Sequence, residues 1–227
     1  MSYDTFLDIK NALRNELGLG QRGIVKPEEL IDFCNRGVKE AAAEIMCVKP
    51  DYFKTKSISN IVNGTSTYAM PTDIFGAKIR LVERLDGDEW VPVKQIKLSN
   101  IRRVIYNDPF QYDLENTSGA GLQIVLYPTP QASITNGLRI WYLRRTKPVT
   151  VDSDAVDLPE FNEFVYQFCK LRVLEKLDRA MNGAAVDLAK QELEDLRKLM
   201  VRSLSNMVED GDNEPSEDME FYAESQA

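Results

Sequence analysis

The sequence predicts an α+β fold: a bundle of N- and C-terminal helices with an inserted small antiparallel β-sheet or barrel and an extended acidic C-terminal tail. Apolar residues recur at helical spacing near both ends of the chain, and the spacing changes to that of strands between about residues 53 and 148. We therefore divide the chain into an N-terminal helical hairpin at 1–52, an antiparallel β lobe at 53–150, a C-terminal helical pair at 151–207 and a tail at 208–227.

The first two helices are predicted from their apolar stripes and from the residues at their ends. Residues 4–17 form an amphipathic pattern that stops at Gly18, where a left-handed cap would fall. The second helix begins at Pro27, whose fixed φ suits a first helical turn, and Pro50 ends it. Its apolar stripe consists of Leu30, Cys34, Val38, Ala41, Ile45 and Val48.

Alternation with a period of two predicts about five or six strands in the middle of the chain. Asn63-Gly64 is a strong signal for a β-hairpin between the first two strands, and Asp86-Gly87-Asp88 marks a second turn. Residues 97–107 indicate a helical excursion. The predicted strands are Lys56–Val62, Thr65–Met70, Lys78–Leu85, Trp90–Val93, Leu122–Tyr127 and Leu138–Arg145.

Helical spacing returns after Leu158-Pro159, and Asn182-Gly183 divides it into two helices. The stripe of the first consists of Phe161, Phe164, Val165, Phe168, Leu171 and Leu174. The stripe of the second consists of Ala185, Ala189, Leu193, Leu196, Met200, Leu204 and Met207. The segment after these helices is acidic, and its apolar residues are Met219, Phe221 and Tyr222.

Composition weighs against several classes of enzyme and against a nucleic-acid-binding protein. Histidine is absent, which removes the usual general base near neutral pH and the commonest metal ligand. The net charge of −8 argues against binding nucleic acid by charge, since neutralising phosphates requires clustered lysine or arginine. An acidic surface would instead repel DNA that passes nearby. We therefore expect no catalytic residue, no cofactor and no metal.

The same composition bears on where the protein forms. Cys34, Cys47 and Cys169 lie in apolar helical contexts, so we expect three reduced thiols that act as small core residues, as in a protein made in a cytoplasm. No apolar run approaches the roughly 20 residues that a membrane-spanning helix needs. The first residues carry no basic stretch followed by an apolar run, so we expect no signal peptide.

Two sets of charged residues have a possible role outside the fold. Arg102-Arg103 and Arg144-Arg145 could contact a phosphate, but on a chain this acidic we interpret them as solvated, or as paired with carboxylates of a neighbouring subunit. Glu160 and Glu163 could form an acid–base pair, but two acidic residues here also favour the first turn of a helix.

Gly18-Leu-Gly20-Gln-Arg-Gly23 has the spacing of a dinucleotide-binding loop, but a helix rather than a strand precedes it, so we interpret it as a cap and a link.

Several segments, in order, resemble the head-to-tail adaptor proteins of tailed phages, also called connector, head completion or tubular connector proteins. Tyr68-Ala-Met-Pro71-Thr-Asp73 matches their Tyr-x-x-Pro-x-Asp signature, and Leu30-Ile-Asp-Phe-Cys-Asn35 resembles part of their N-terminal hairpin. The later segments that resemble the family are Ile124-Val-Leu-Tyr-Pro128-Thr-Pro130, Leu138-Arg-Ile-Trp-Tyr142, Lys147-Pro148 and Leu158-Pro159. The resemblance extends over about residues 27–205, and the N-terminal extension and the acidic tail depart from it.

The resemblance implies a structural virion protein at the junction of capsid and tail, assembled in the host cytoplasm. Such proteins form a homo-oligomeric ring, usually a dodecamer, that sits under the portal protein and joins it to a tail tube, nozzle or stopper protein. The genome passes through the lumen without specific binding, and no membrane is involved. On this basis we expect Met219, Phe221 and Tyr222 to bind the portal, and Arg102, Arg103, Arg144 and Arg145 to lie between subunits.

Two alternatives remain open at this point. One is a Mg²⁺-dependent carboxylate hydrolase or nuclease, which would need acidic residues that converge from structured elements, whereas most of the clustered acid lies in the tail. The other is a stopper or terminator protein of the same virion.

Overall fold

The computed structural model describes residues 3–18, 25–96, 110–119, 121–177 and 183–211, and over these ranges the fold is α+β, as predicted. The helices are α1 (Phe6–Glu16), α2 (Pro27–Val48), α3 (Asn162–Leu177) and α4 (Ala184–Gly211), with a short 3₁₀ helix at Pro159–Phe161. The strands are β1 (Lys54–Ile61), β2 (Thr67–Ala69), β3 (Ile74–Asp86), β4 (Glu89–Pro92), β5 (Lys94–Gln95), β6 (Gln111–Thr117), β7 (Gly121–Tyr127) and β8 (Ile134–Arg144).

The chain forms two compact units. The helical unit consists of Met1–Tyr52 together with Thr146–Ala227, and the β unit is Phe53–Arg145. The β unit is therefore an insertion in the helical unit, with both of its ends connected to helical segments. None of the helices in the described ranges is long and apolar enough to cross a membrane.

The ends of α1 follow from local hydrogen bonds. Thr5 and Asp8 form a capping box, in which the Asp8 amide donates to Thr5 Oγ1 at 3.3 Å and the Thr5 amide donates to Asp8 Oδ2 at 3.0 Å. Gly18 has a φ of 61°, the left-handed conformation predicted for it after the helix end. The helix buries Phe6, Ile9 and Leu13 against its own unit.

Helix α2 begins at Pro27 and ends at Val48, as the sequence predicts. Its buried face contains Gly37, a residue that costs about 1 kcal/mol relative to alanine inside a helix. A Cβ atom at Gly37 would lie 3.1 Å from Cδ1 of Phe168, so the glycine lets the phenylalanine ring of α3 pack directly on the α2 backbone. The remaining buried residues of α2 are Leu30, Cys34, Val38, Ala41, Ala42 and Ile45.

The C-terminal helices follow the predicted stripes with three differences. Met207, the last member of the predicted stripe of α4, is 36% exposed. Ala185 is exposed and Val186 is buried in its place, so the buried stripe of α4 begins one residue later than predicted. Helix α4 also extends to Gly211, beyond the predicted start of the tail. The acidic residues after that point lie outside the described residues.

The cysteine prediction is correct for two residues and wrong for the third. Cys34 on α2 and Cys169 on α3 are both fully buried thiols. Burial and contact with Cys34 raise the pKa of Cys169, with the contact as the larger cause. Cys47 is exposed, because it follows the buried Ile45 by two residues and so faces away from the apolar stripe.

The β unit contains two four-stranded sheets that share one core. The first sheet has the strand order β1-β8-β3-β4 and is antiparallel throughout, and the second has the order β2-β7-β6-β5 with a parallel β5–β6 pair. Residues from both sheets form one buried cluster, so we describe the unit as two packed sheets. Its most buried members are Ile61, Val82, Ile124, Leu126 and Leu138.

The hairpin predicted at Asn63-Gly64 is wrong as a pairing, although both strands exist. β1 pairs with β8 in the first sheet, whereas β2 pairs with β7 in the second, so the turn passes the chain from one sheet to the other. Tyr68 explains the turn: its hydroxyl donates to Thr65 O at 2.7 Å and accepts from the Val62 amide at 3.2 Å. A local turn signal does not identify which strands pair, because pairing depends on long-range packing.

The second predicted turn does form a hairpin. β3 and β4 pair with Leu85 opposite Trp90 and Asp86 opposite Glu89, and Gly87 adopts a φ of 61° between them. β5 and β6 were not predicted, because Gln111–Thr117 is mostly polar and buries only Tyr112. The helical excursion predicted for 97–107 lies outside the described residues.

Candidate functional site

The signature Tyr68-x-x-Pro71-x-Asp73 has a structural role in the β unit. Asp73 accepts a hydrogen bond from the Tyr142 hydroxyl at 2.8 Å through Oδ1, and its backbone carbonyl accepts from the Arg145 amide at 2.6 Å. Burial, with the Asp73 carboxylate as the second cause, raises the pKa of Tyr142 to about 12. The motif therefore fixes the end of β8 against the start of β3.

Arg144 and Arg145, predicted between subunits, both have partners within the β unit. Arg145 Nε donates to the Ile74 carbonyl at 2.9 Å, so this side chain closes the same junction of β3 and β8. The Arg144 guanidinium lies 5.5 Å from the ring centroid of Phe53 and donates to the Arg145 carbonyl at 3.1 Å. Arg102, Arg103 and the predicted portal-binding residues Met219, Phe221 and Tyr222 lie outside the described residues.

The outer face of the first sheet carries a cluster that the sequence analysis did not identify. The cross-strand register places Arg139 and Trp141 of β8 beside Glu83 of β3, and Trp90 of β4 packs against them. We call Glu83, Trp90, Arg139 and Trp141 the outer-face cluster. Both tryptophans of the chain belong to it.

Glu83 holds the outer-face cluster together. Its Oε2 accepts from Arg139 Nε at 2.5 Å and from Trp141 Nε1 at 2.8 Å. The hydrogen bond from Arg139 lowers the pKa of Glu83, while burial opposes that effect and the Trp141 hydrogen bond adds to it. The Arg139 guanidinium also lies 4.1 Å from the Trp90 ring centroid. Arginine and tryptophan held rigidly on a surface are the residues that most often carry binding energy at protein interfaces.

Apolar side chains extend the outer-face cluster toward both neighbouring strands. Ile58 on β1 is 45% exposed and pairs with Arg139, and Leu81 on β3 is 39% exposed and pairs with Trp141. Lys56 of β1 lies 5.5 Å from the Trp141 ring centroid. Period-two alternation of arginine and tryptophan on β8 is the signal that could have identified this face from the sequence.

A second feature of the β unit is a groove of about 550 Å³. Arg84 covers the Phe110 ring at 4.0 Å, and Pro128 and Pro130 form part of the wall. The peptide bond between Tyr127 and Pro128 is cis. The groove contains a single charged side chain, Arg84, and no convergent set of polar groups among its lining residues.

The helical unit contains a polar network centred on Lys170 of α3. Its ammonium lies 2.7 Å from a Glu16 oxygen and 3.3 Å from a Glu192 oxygen, so it connects α1, α3 and α4. Burial alone would lower the pKa of Lys170, but Glu16 and Glu192 together raise it. The Tyr166 hydroxyl also donates to Glu16, and its ring stacks on Tyr3 at a centroid distance of 4.3 Å. Each charge has a partner, which is typical of a structural network.

Within the described ranges, no group of three or more cysteine, aspartate or glutamate residues has the geometry to hold a metal ion. Of the proposed acid–base pair, Glu160 lies in the 3₁₀ helix and accepts from the Tyr52 hydroxyl at 3.3 Å, and Glu163 lies in the first turn of α3.

Comparison with known protein families gives one match that covers most of the chain. The sequence model of the family described as SU10 adaptor protein matches residues 4–214. No curated protein matches the chain.

Proposed function

The chain belongs to the SU10 adaptor protein family, a family of phage head-to-tail adaptors, and we propose on that premise that it forms a ring between the portal and the tail. Its structural role in the virion as a head-to-tail adaptor follows from the family. The finer proposal is a homo-oligomeric ring, with a dodecamer as the expected size, attached beneath the portal protein and followed by a tail tube, nozzle or stopper protein.

The family match over residues 4–214 is the observation that carries this proposal. The physical character of the chain supports it, since a net charge of −8 would keep a passing genome from adhering to the lumen. The outer-face cluster supports it as well, because a rigid arginine between two tryptophans is a surface suited to binding protein.

We place the portal contact in the C-terminal tail, at Met219, Phe221 and Tyr222. A segment that is acidic and poor in apolar residues gains order on a partner, and its few aromatic residues then supply most of the contact energy. Arg102, Arg103 and Arg144 are proposed to face carboxylates of the adjacent subunit, where they would offset the repulsion between acidic copies. Of the four arginines, Arg145 is proposed to contribute least to the contact between subunits, since its guanidinium already donates to the Ile74 carbonyl.

Co-sedimentation with purified portal protein tests the proposal. The full chain is expected to co-sediment with the portal and to appear as a closed ring by electron microscopy. Double-stranded DNA of mixed sequence serves as the control ligand, and we expect no binding at physiological salt. A chain that stays monomeric and leaves the portal untouched would contradict the proposed function.

A further inference from the structure

We propose that adjacent subunits join through the edges of the first sheet, with β4 of one copy pairing antiparallel with β1 of the next. This inference rests on the proposed ring, and it identifies the surface through which neighbouring copies in that ring contact each other. β1 and β4 are the two edge strands of the order β1-β8-β3-β4, and no other strand in the described ranges pairs with their outer edges.

The directions of the two edge strands match what a ring requires. Each neighbouring pair in the sheet is antiparallel, so β1 and β4, separated by two strands, run in opposite directions. Copies in a ring are related by rotation and keep the same orientation relative to their neighbours. A second copy beside the first therefore places its β1 antiparallel to β4, which continues the pattern of the sheet without a break.

The free backbone groups of β4 can be assigned from the bonds to β3. The Val93 amide donates to the Val82 carbonyl at 2.7 Å. Because backbone groups alternate in direction along a strand, Val91 also faces β3, and Trp90 and Pro92 point their backbone groups outward. Proline lacks an N–H, so Pro92 sacrifices no bond to β3 and offers its carbonyl, but no donor, to a neighbouring strand.

The backbone groups of β1 that point away from β8 can be assigned in the same way. The Arg144 amide donates to the Phe53 carbonyl at 3.1 Å, so Thr55 and Ser57 face β8. Lys54, Lys56 and Ile58 then present their backbone groups outward. The side chains of Lys56 and Ile58 lie on the same face as Trp90, since Lys56 lies over Trp141 and Ile58 pairs with Arg139 of the outer-face cluster. Two residues that lie directly opposite each other in an antiparallel pair have their side chains on the same face of the sheet. The junction therefore places the outer faces of the first sheets of both copies on the same side.

The charges of the two edges are complementary. β1 carries Lys54 and Lys56, both exposed, and no acidic residue. The turn that leads into β4 carries Asp86, Asp88 and Glu89, all exposed. Two registers of the junction are possible. If Trp90 lies opposite Lys54 of the neighbouring copy, Asp88 lies directly opposite Lys56. If Trp90 lies opposite Lys56, Asp88 is the diagonal neighbour of Lys56. Both arrangements let the lysine reach the carboxylate.

The junction would also cover exposed apolar surface. Ile58, 45% exposed on β1, would lie against the edge that carries Trp90 of the adjacent copy. The outer-face clusters of neighbouring copies would then form a continuous band around the ring. The two edges also carry features that limit indiscriminate strand pairing: β4 has only four residues and ends in Pro92, and β1 carries lysines.

A charge-swap experiment tests the inference in the full-length chain. Lys56→Glu and Asp88→Lys are each expected to reduce ring assembly on purified portal by about tenfold or more, since each places like charges together. The double variant is expected to return assembly to within about threefold of the unmodified chain, because the pair is restored with reversed sign. Lys39→Glu, the same charge change on the helical unit, is the matched control and is expected to leave assembly unchanged. Far-ultraviolet circular dichroism confirms that each variant is folded.

A cross-linking experiment tests the same contact without relying on charge. Lys56→Cys and Asp88→Cys are combined in a Cys47→Ser background, which removes the exposed native thiol. Within one copy the two edges are about 14 Å apart, three strand spacings, which exceeds the span of a short bismaleimide. Assembled protein is therefore expected to give a ladder of covalent oligomers, whereas either single-cysteine variant gives none beyond a dimer.

The outcomes separate this inference from the proposed function. Rings formed equally by the unmodified chain and by both single charge variants would overturn the edge pairing and leave the adaptor ring intact. Impaired single variants without recovery in the double variant, or an absent ladder from assembled rings, would also overturn it. A full chain that forms no ring with the portal would overturn both proposals together.

Discussion

The helical unit and the β unit use their surfaces differently. In the helical unit, the charged residues around Lys170 are paired with one another and the apolar stripes are buried between helices. In the β unit, the sheet core is equally buried, but an ordered cluster of tryptophan and arginine remains at the surface with exposed Ile58 and Leu81 beside it. Substitutions in the helical unit are therefore expected to change stability, whereas substitutions on the outer face of the β unit are expected to change assembly.

The largest effect is expected at the core of the helical unit. Phe168→Ala removes a buried ring that packs on Gly37, and we expect a loss of about 3–5 kcal/mol in the free energy of unfolding. Urea unfolding followed by far-ultraviolet circular dichroism measures it. Leu188→Ala on α4, where the side chain is 58% exposed, is the control and should change stability by less than about 0.5 kcal/mol. Equal effects from the two variants would contradict the assignment of the core.

The next effect concerns Glu83 in the outer-face cluster. Glu83→Gln leaves Arg139 without its carboxylate partner, and we expect a loss of about 1–3 kcal/mol in the stability of the β unit. Both tryptophans lie in this unit, so their fluorescence reports its unfolding separately from the helices. Glu83→Asp shortens the side chain but keeps its charge, and its effect would show how much of the loss is due to the charge.

Glu83 also gives the β unit a dependence on pH. Its pKa is lowered in the folded state, so its stabilisation is fully present above the unfolded value of about 4.3 and is lost as the pH falls through the folded value. Tryptophan fluorescence during acid titration should show this loss, and Glu83→Gln should flatten that part of the curve. An unchanged acid limb in the variant would rule Glu83 out as the group responsible.

A smaller effect distinguishes Arg145 from Arg102 and Arg103. Arg145→Ala removes the hydrogen bond to Ile74 O, and we expect a loss of about 1 kcal/mol in the stability of the β unit. Arg102→Glu and Arg103→Glu are expected to leave the melting temperature unchanged and to hinder assembly on the portal, more so at low salt. Sedimentation with portal measures assembly, and normal complexes from these variants would remove the arginines from the subunit contact.

Only a small effect on stability is expected from removal of the tail. Removal of 208–227 takes away only the last residues of α4 and an acidic segment, so the melting temperature should change by a degree or two at most. Binding to the portal should weaken, because Met219, Phe221 and Tyr222 are lost. Full-affinity binding by the shortened chain would place the portal contact elsewhere.

The sequence predicted the helices more accurately than the strand pairing, for a physical reason. The start of α2 at Pro27 and the cap at Gly18 are determined by neighbouring residues, so local patterns are sufficient. The pairing of β1 with β8 joins residues far apart in the chain, and nothing at Asn63-Gly64 indicates it. The helical spacing was in fact sufficient to show that Cys47 faces outward, because it follows the buried Ile45 by two residues and lies off the apolar stripe.

The candidate site was less accessible to sequence reasoning than the fold. Arg144 and Arg145 were predicted to lie between subunits because they are adjacent charges in the sequence, but adjacent residues on a strand point to opposite faces. Arg139, which alternates with Trp141 and meets Glu83 from another strand, forms the ordered cluster. Its importance depends on the cross-strand register, which only the structure supplies.

Assembly of the full chain with purified portal tests the proposed ring most directly, measured as the mass and symmetry of the complex by electron microscopy and sedimentation. We expect a closed ring of one cyclic symmetry, seated on the portal, whose copies contact one another through the β unit. A complex in which single copies decorate the portal without touching, or a chain that remains monomeric, would contradict it.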